Sequence, residues 1–243
     1  MLKAINVRKL YRGFYGIKDI NLSFPTGQVV GLFGENGSGK TTLLRALAGL
    51  ISLDIGNILF DSRDIHKETP TDIVYISEAY SFFPWYNAYK NGVVFDGLFP
   101  NFDFEKFKGL LKVLGIPQHT KAQNLSRGNK SKLEMALGYS KTARYILIDE
   151  PFLGNDMFTR HDFLKLMCSQ LTDEQTLIIS THIIEEIDLL LDRIIIMRNG
   201  YVLRDESMDK IRERSNLYEI IRKDYQYSED KFKSFLSPEK NID

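Results

Sequence analysis

In the segment Ile17 to Phe24 apolar residues recur with a period of two at Ile20, Leu22 and Phe24, on one side, and Val7-Arg8-Lys9-Leu10 upstream is a second short mixed segment. That period marks a half-buried strand, so the two segments read as antiparallel strands, the second closed by Pro25-Thr26-Gly27. The pattern then changes. Val29 to Phe33, Tyr145 to Ile148 and Thr176 to Ile179 are near-continuous apolar runs, as strands buried on both faces of a parallel sheet should be. Gly56 to Phe60 and Asp72 to Ile76 read as further strands, and a helix is expected from Thr41 to Leu50. From Glu78 to about Gly138 the spacing turns helical and aromatic. Within it, Asn101-Phe102-Asp103 caps a helix running to Leu114, which Gly115-Ile116-Pro117 terminates. Ile194 to Met197, the turn Arg198-Asn199-Gly200 and Tyr201-Val202-Leu203 predict a closing hairpin. After Glu206 the chain is charged and expected to be helical, fraying over Lys240 to Asp243. Strands and helices alternating around buried runs predict an α/β fold with a mostly parallel sheet.

The segment Gly34-Glu35-Asn36-Gly37-Ser38-Gly39-Lys40-Thr41-Thr42 follows the first buried run directly and precedes the first helix. Glycines there leave backbone N–H groups free to converge on a cluster of anionic oxygens, and the helix adds the positive end of its dipole at the same point. Lys40 is placed for β- and γ-phosphates and the Thr41 hydroxyl for a magnesium ion. This strand-loop-helix predicts a P-loop NTPase core that binds a nucleoside triphosphate. A second site falls where the first needs help. The run Tyr145-Ile146-Leu147-Ile148 ends in Asp149 and Glu150, at the carboxyl edge of a buried parallel strand, where open α/β sheets bind ligands. Asp149 suits magnesium, and Glu150 suits the water that attacks the γ-phosphate. His182, after Leu177-Ile178-Ile179-Ser180-Thr181, emerges on the same edge and can donate to a γ-phosphate oxygen.

Composition narrows the setting. The 32 Lys and Arg residues equal the 32 Asp and Glu residues, so bulk attraction to nucleic acid or anionic lipid is not expected. The single cysteine, Cys168, reads as a small core residue in a reducing compartment, and four scattered histidines offer no metal-ligand spacing. No apolar run reaches the roughly 18 residues that span a bilayer. Met1-Leu2-Lys3-Ala4 leads straight into strand-like sequence, so a cytosolic chain, or one docked to a membrane through another protein, is expected.

The phosphate loop, Leu125-Ser126-Arg127-Gly128-Asn129 before a helix, Ile148-Asp149-Glu150-Pro151 and Ser180-Thr181-His182, in that order, resemble the nucleotide-binding subunit of an ATP-binding cassette (ABC) transporter. The resemblance spans about Leu2 to Leu203. It implies a nucleotide-binding domain over residues 1–205, with an antiparallel β-subdomain and a helical subdomain at about 79–140, and a charged helical extension over 206–243. It also implies ATP and Mg2+ as ligands and a head-to-tail dimer, with itself or a related ATPase subunit, enclosing two ATP molecules. The partner implied is an integral membrane permease, holding the chain at the cytoplasmic face. Carried over residue by residue, Tyr11 stacks on adenine, Lys40 and Thr41 bind phosphates and metal, Asp149 binds metal, Glu150 is the general base and His182 the switch histidine. Asp156, in Leu153-Gly154-Asn155-Asp156, communicates between the two sites, and Ser126 and Gly128 complete the partner subunit's site.

Three departures stand out. Arg127 and Asn129 replace a glycine and a glutamine of the Leu-Ser-Gly-Gly-Gln signature, Glu78 takes the place of the glutamine expected to reach the metal, and Asn155 stands where leucine is usual. Similar departures occur in an exporter-like subfamily whose cassette and permease are separate chains, so export is the expected direction. Tyr80, Phe82, Phe83, Trp85 and Tyr86 crowd around Pro84, with Tyr89, Phe95 and Phe99 beyond. That is more rings than one short loop buries, so an exposed aromatic patch is expected on the face that grips the permease. A soluble cassette ATPase acting on a non-transport macromolecular partner is the alternative. It fits less well, because there is one cassette and Leu43 to Leu125 sustains no heptads. A GTP switch protein fits worst, since Asn129-Lys130-Ser131-Lys132 lacks the aspartate that would read guanine.

Overall fold

The apolar runs lie in one sheet with both faces covered. The computed structural model describes residues 1–12, 15–67, 71–77, 79–150, 164–180, 188–214 and 217–224. The sheet joins β3 (Val29–Gly34), β6 (Ile73–Ile76), β7 (Tyr145–Asp149), β8 (Thr176–Ser180), β9 (Arg193–Arg198) and β10 (Tyr201–Ser207) in the order β10-β9-β3-β8-β7-β6. All neighbours run parallel except β9 and β10, which form the expected hairpin. Alternation along each strand divides its side chains between two cores. Val29, Phe33, Ile146, Ile148, Leu177 and Ile179 face one, and Val30, Leu32, Tyr145, Leu147 and Ile178 the other.

The first core is shared with a helical block between β6 and β7, made of α2 (Ala88–Leu98), α3 (Phe104–Val113) and α4 (Arg127–Tyr139). Asp103 caps α3 as expected, its side chain accepting from Lys106 N–H, and Leu114 closes it. The second core holds α1 (Lys40–Leu47) against an antiparallel sheet of order β2-β1-β4-β5, from β1 (Leu2–Leu10), β2 (Gly16–Phe24), β4 (Ile55–Phe60) and β5 (Arg63–Asp64).

β10 runs on to Ser207 instead of ending at Leu203, and two further boundaries depart from the sequence pattern for a local reason. The first strand begins at Leu2 rather than Val7, because Asn6, at φ 49°, sits in an irregularity that shifts register between Ala4 and Val7. Leu2, Ala4 and Val7 all face the core although their spacing breaks the period of two. Helix α1 stops at Leu47, not Leu50. Gly49 adopts φ 71° and its N–H donates to Ala46 O, while Leu50 N–H donates to Arg45 O, a Schellman closure.

The hairpin turn at Asn199 and Gly200, both at positive φ, is tied to the rest of the fold. Gly200 N–H donates to Ser38 O, and Lys18 N–H donates to Gly200 O. Among the described residues two short helices follow, α5 (Met208–Arg212) and α6 (Leu217–Asp224), and Arg204 on β10 forks onto the Asp224 carboxylate at 2.5 and 2.8 Å. Cys168 is half-buried against the first core, which pushes its thiol up to about 11. Among the described residues no helix is long and apolar enough to cross a membrane.

Candidate functional site

The buried strand β3 delivers its last residue, Gly34, to the mouth of α1, where Gly39 is the N-cap. Between them the backbone folds back on itself, with Ser38 N–H donating to Glu35 O. The loop is packed to its limit at Gly34, where a Cβ would lie 2.2 Å from Ser38 Oγ and 2.9 Å from Met197 O. Lys40, the first residue of α1, is buried, and its ammonium donates to Gly34 O at 2.7 Å and approaches Glu150 Oε1 at 3.7 Å. Ser38 Oγ is buried with no hydrogen-bond partner among the described residues. A buried ammonium and an unmatched hydroxyl at a helix N-terminus fit a polyanionic ligand, because a phosphate oxygen can accept from the Ser38 hydroxyl and take over the ammonium from Gly34 O and the Glu150 carboxylate.

Beside the loop, β7 ends in Asp149. Oδ1 accepts from Thr41 Oγ1 at 3.1 Å and from Ser180 Oγ at 2.7 Å, and Oδ2 accepts from Tyr75 OH at 2.9 Å. Tyr75 lies on β6, opposite Leu147 in the parallel register, and its hydroxyl also accepts from Arg45 Nε at 3.4 Å. Burial, followed by the Asp149 charge, raises the Tyr75 phenol above its ordinary value. The Arg45 guanidinium is raised chiefly through its bond to Tyr75. Thr41 and Asp149 offer hard oxygen donors side by side. A magnesium ion is commonly held by one or two such protein oxygens together with phosphates and water.

Glu150 follows at φ 49°, a left-handed conformation uncommon for a non-glycine residue. It is held there by its N–H, which donates to Ser180 O at 3.2 Å and to Ser180 Oγ at 3.1 Å. The sharp turn separates Glu150 in direction from Asp149, so the two adjacent acids serve different neighbours.

The structure therefore brings together Lys40, Thr41, Asp149 and Glu150, at the carboxyl edge of β3 and β7. Gly37 and Ser38 line a cleft of about 480 Å3 with Glu35, Asn36, Tyr15 and Lys18, and Thr42 continues α1. Tyr11 lies just past β1, exposed, with its N–H donating to Tyr15 O at 2.8 Å, and of the two tyrosines it is Tyr15 that lines the cleft. Ser126 and Gly128 sit elsewhere, at the start of α4 in the helical block. There the Ser126 hydroxyl accepts from Asn129 N–H at 3.3 Å. Arg127 is exposed beside it. Glu78, Asp156 and His182 lie outside the described residues. Sequence reasoning missed Tyr75 and Arg45. The available signal was a hydroxyl on the otherwise aliphatic strand Ile73-Val74-Tyr75-Ile76, and a cation one helical turn after Thr41.

Comparisons with known proteins point to one family. A family model described as ABC transporter matches residues 17–153. The chain is 33% identical over 217 residues to the ABC transporter ATP-binding protein YtrB of Bacillus subtilis (strain 168), covering 88% of this chain and 74% of that one. It is 33% identical over 211 residues to the aliphatic sulfonates import ATP-binding protein SsuB 1 of Paracoccus denitrificans (strain Pd 1222), covering 83% and 82%. The dimeric post-hydrolysis state of the ATP-binding cassette MJ0796 bound to ADP and Pi shares the fold, with a TM-score of 0.76 at 23% identity over 86% of this chain and 99% of that chain.

Proposed function

The chain belongs to the ABC transporter family of ATP-binding ATPases, and from that premise we propose that it energises a membrane permease from the cytoplasmic face of the membrane. The observation that carries the reading is the convergence of Lys40, Thr41, Asp149 and Glu150 on one sheet edge. In this reading Lys40 and the backbone N–H groups from Gly37 to Thr42 take the β- and γ-phosphates of ATP. Thr41 and Asp149 hold Mg2+, which when bound neutralises charge building on the phosphate oxygens. Glu150 accepts the proton of the attacking water, and Ser180 keeps its backbone in the turn that aims it. Tyr11 stacks on the base, Glu78 reaches the metal and His182 donates to the γ-phosphate. Ser126, Gly128 and Asp156 serve the facing site of a head-to-tail dimer, formed with a second copy or a related ATPase subunit. For direction we infer export, from the substitutions at Arg127, Glu78 and Asn155.

The test is Glu150→Gln. An amide keeps the size of the carboxylate but cannot take the proton, so turnover should fall roughly 10²-fold or more while ATP binding persists. With hydrolysis blocked and Mg-ATP present, the variant should sediment as a dimer. Near wild-type ATPase activity in the variant would remove Glu150 from its role.

A further inference from the structure

Four side chains close a ring around the edge of the site. Thr41 and Arg45 are one turn apart on α1, on the side facing β6 and β7. Thr41 Oγ1 donates to Asp149 Oδ1, Tyr75 OH donates to Asp149 Oδ2, and Arg45 Nε donates back to Tyr75 OH. A phenol has one proton, so giving it to Asp149 fixes the direction of the chain, from guanidinium to phenol to carboxylate. The cation at its head polarises the phenol O–H and strengthens its bond to the carboxylate. Ser180 Oγ adds a second donor on Oδ1, at 2.7 Å. Asp149 is buried and its bond from Ser180 lies in the interior, the Thr41 and Tyr75 bonds are part-buried, and only the Arg45–Tyr75 link at the outer end of the chain is exposed.

We propose that Tyr75, backed by Arg45, is a positioning residue that fixes which oxygen of Asp149 faces the metal and phosphates. Tyr75 occupies Oδ2 on the side of β6 and leaves Oδ1 toward Thr41. Without that hydroxyl, the two oxygens compete for the Thr41 and Ser180 donors and the carboxylate plane is held from one side only. Phenylalanine fills the same space on β6, so Tyr75→Phe removes the orientation and little else. Groups that hydrogen-bond a metal-binding carboxylate set its plane, and losing one costs about 10- to 100-fold in metal affinity or activity. The inference rests on the assignment of Asp149 to the metal made above.

The experiment titrates Mn2+ into the full chain with adenylyl-imidodiphosphate, following free Mn2+ by electron paramagnetic resonance. Tyr75→Phe should bind Mn2+ about tenfold more weakly, with nucleotide affinity in EDTA unchanged. Arg45→Gln should weaken Mn2+ by a smaller factor, and should change it less in the Tyr75→Phe background than in the wild type, because the phenol carries the largest part of its influence beside a direct charge interaction with Asp149. Asp149→Asn is the control for the underlying assignment. If that variant binds Mn2+ as the wild type does, Asp149 does not hold the metal and both readings fall. If Asp149→Asn loses Mn2+ while Tyr75→Phe keeps wild-type affinity, the role of Tyr75 alone is overturned. That role is overturned as well if Tyr75→Phe weakens Mn2+ and metal-free nucleotide equally.

Discussion

At the scale of single residues, crowding around the phosphate loop sets what the chain tolerates. A methyl group on Gly34 would overlap Ser38 Oγ and press on Met197 O, a backbone atom that cannot swing away. Gly34→Ala should therefore destabilise the fold by about 1–3 kcal/mol, the usual cost of overpacking, and weaken ATP binding with it. Gly109 is the internal contrast. It lies in α3, exposed, with open space where a Cβ would stand. There Gly109→Ala should stabilise by roughly 0.5–1 kcal/mol, because alanine loses less backbone entropy in a helix. Urea unfolding of both variants checks the pair, and a Gly34→Ala chain as stable as wild type would show that the loop can yield. Lys40, Thr41, Asp149 and Glu150 were legible in the sequence because phosphate and metal chemistry demands those groups at fixed places after buried strands. Tyr75 was not, because a tyrosine in a strand has the same hydropathy pattern whether its hydroxyl meets solvent or a buried carboxylate.

Between elements, one buried acid joins α4 to the aromatic loop. Glu134 is almost fully buried, and its carboxylate accepts from Ser81 N–H at 2.7 Å and Ser81 Oγ at 2.8 Å. Burial raises its pKa, and the bonds from Ser81 oppose the rise without cancelling it. The folded state thus holds this proton more tightly than the unfolded chain does. Its contribution to stability is full below the ordinary value of 4.5 and is lost as pH climbs through the elevated one. Glutamine can accept from the N–H and donate to the hydroxyl, with no charge to bury. Glu134→Gln should therefore equal or exceed the wild type in stability at neutral pH and flatten its decline from about pH 5 upward. Chemical denaturation across that range decides it, and an unchanged slope would assign the pH dependence to other groups. Most elements could be read from the sequence, since buried parallel runs and the Asp103 cap have simple patterns. The early start of β1 could not, because the irregularity at Asn6 reverses the phase of alternation. The end of α1 was visible in Gly49 but outweighed by the apolar residues around it.

For the molecule as a whole, the aromatic loop is divided as its composition suggested. Phe82 is buried, Tyr80 and Phe83 pack on the core, and Trp85 stands 56% exposed, followed at four-residue steps by exposed Tyr89 and Val93. Asn91 shapes the loop from beneath, accepting from Phe83 N–H and donating to Phe83 O and Asn87 O. Trp85→Ala should leave nucleotide binding and melting temperature of the isolated chain near wild type. Its capture of the permease should weaken by about 2 kcal/mol or more, roughly thirtyfold. Pull-down from detergent measures the capture. Vesicles made with the same pair show on which side cargo accumulates, which tests export. A blue-shifted Trp85 emission with a melting point several degrees lower would place this ring in the core instead. The strand order holds one further consequence, for biosynthesis. β3 lies between β8 and β9, and the backbone of Ser38 is held by Gly200. A ribosome releases the phosphate loop before its flanking strands, which emerge only after Thr176, and before its prop, which comes with the β9–β10 hairpin. Such distant pairing forms late, so ATP has no finished cradle to enter on a half-made chain. Nucleotide recognition waits on strands made long after the loop itself.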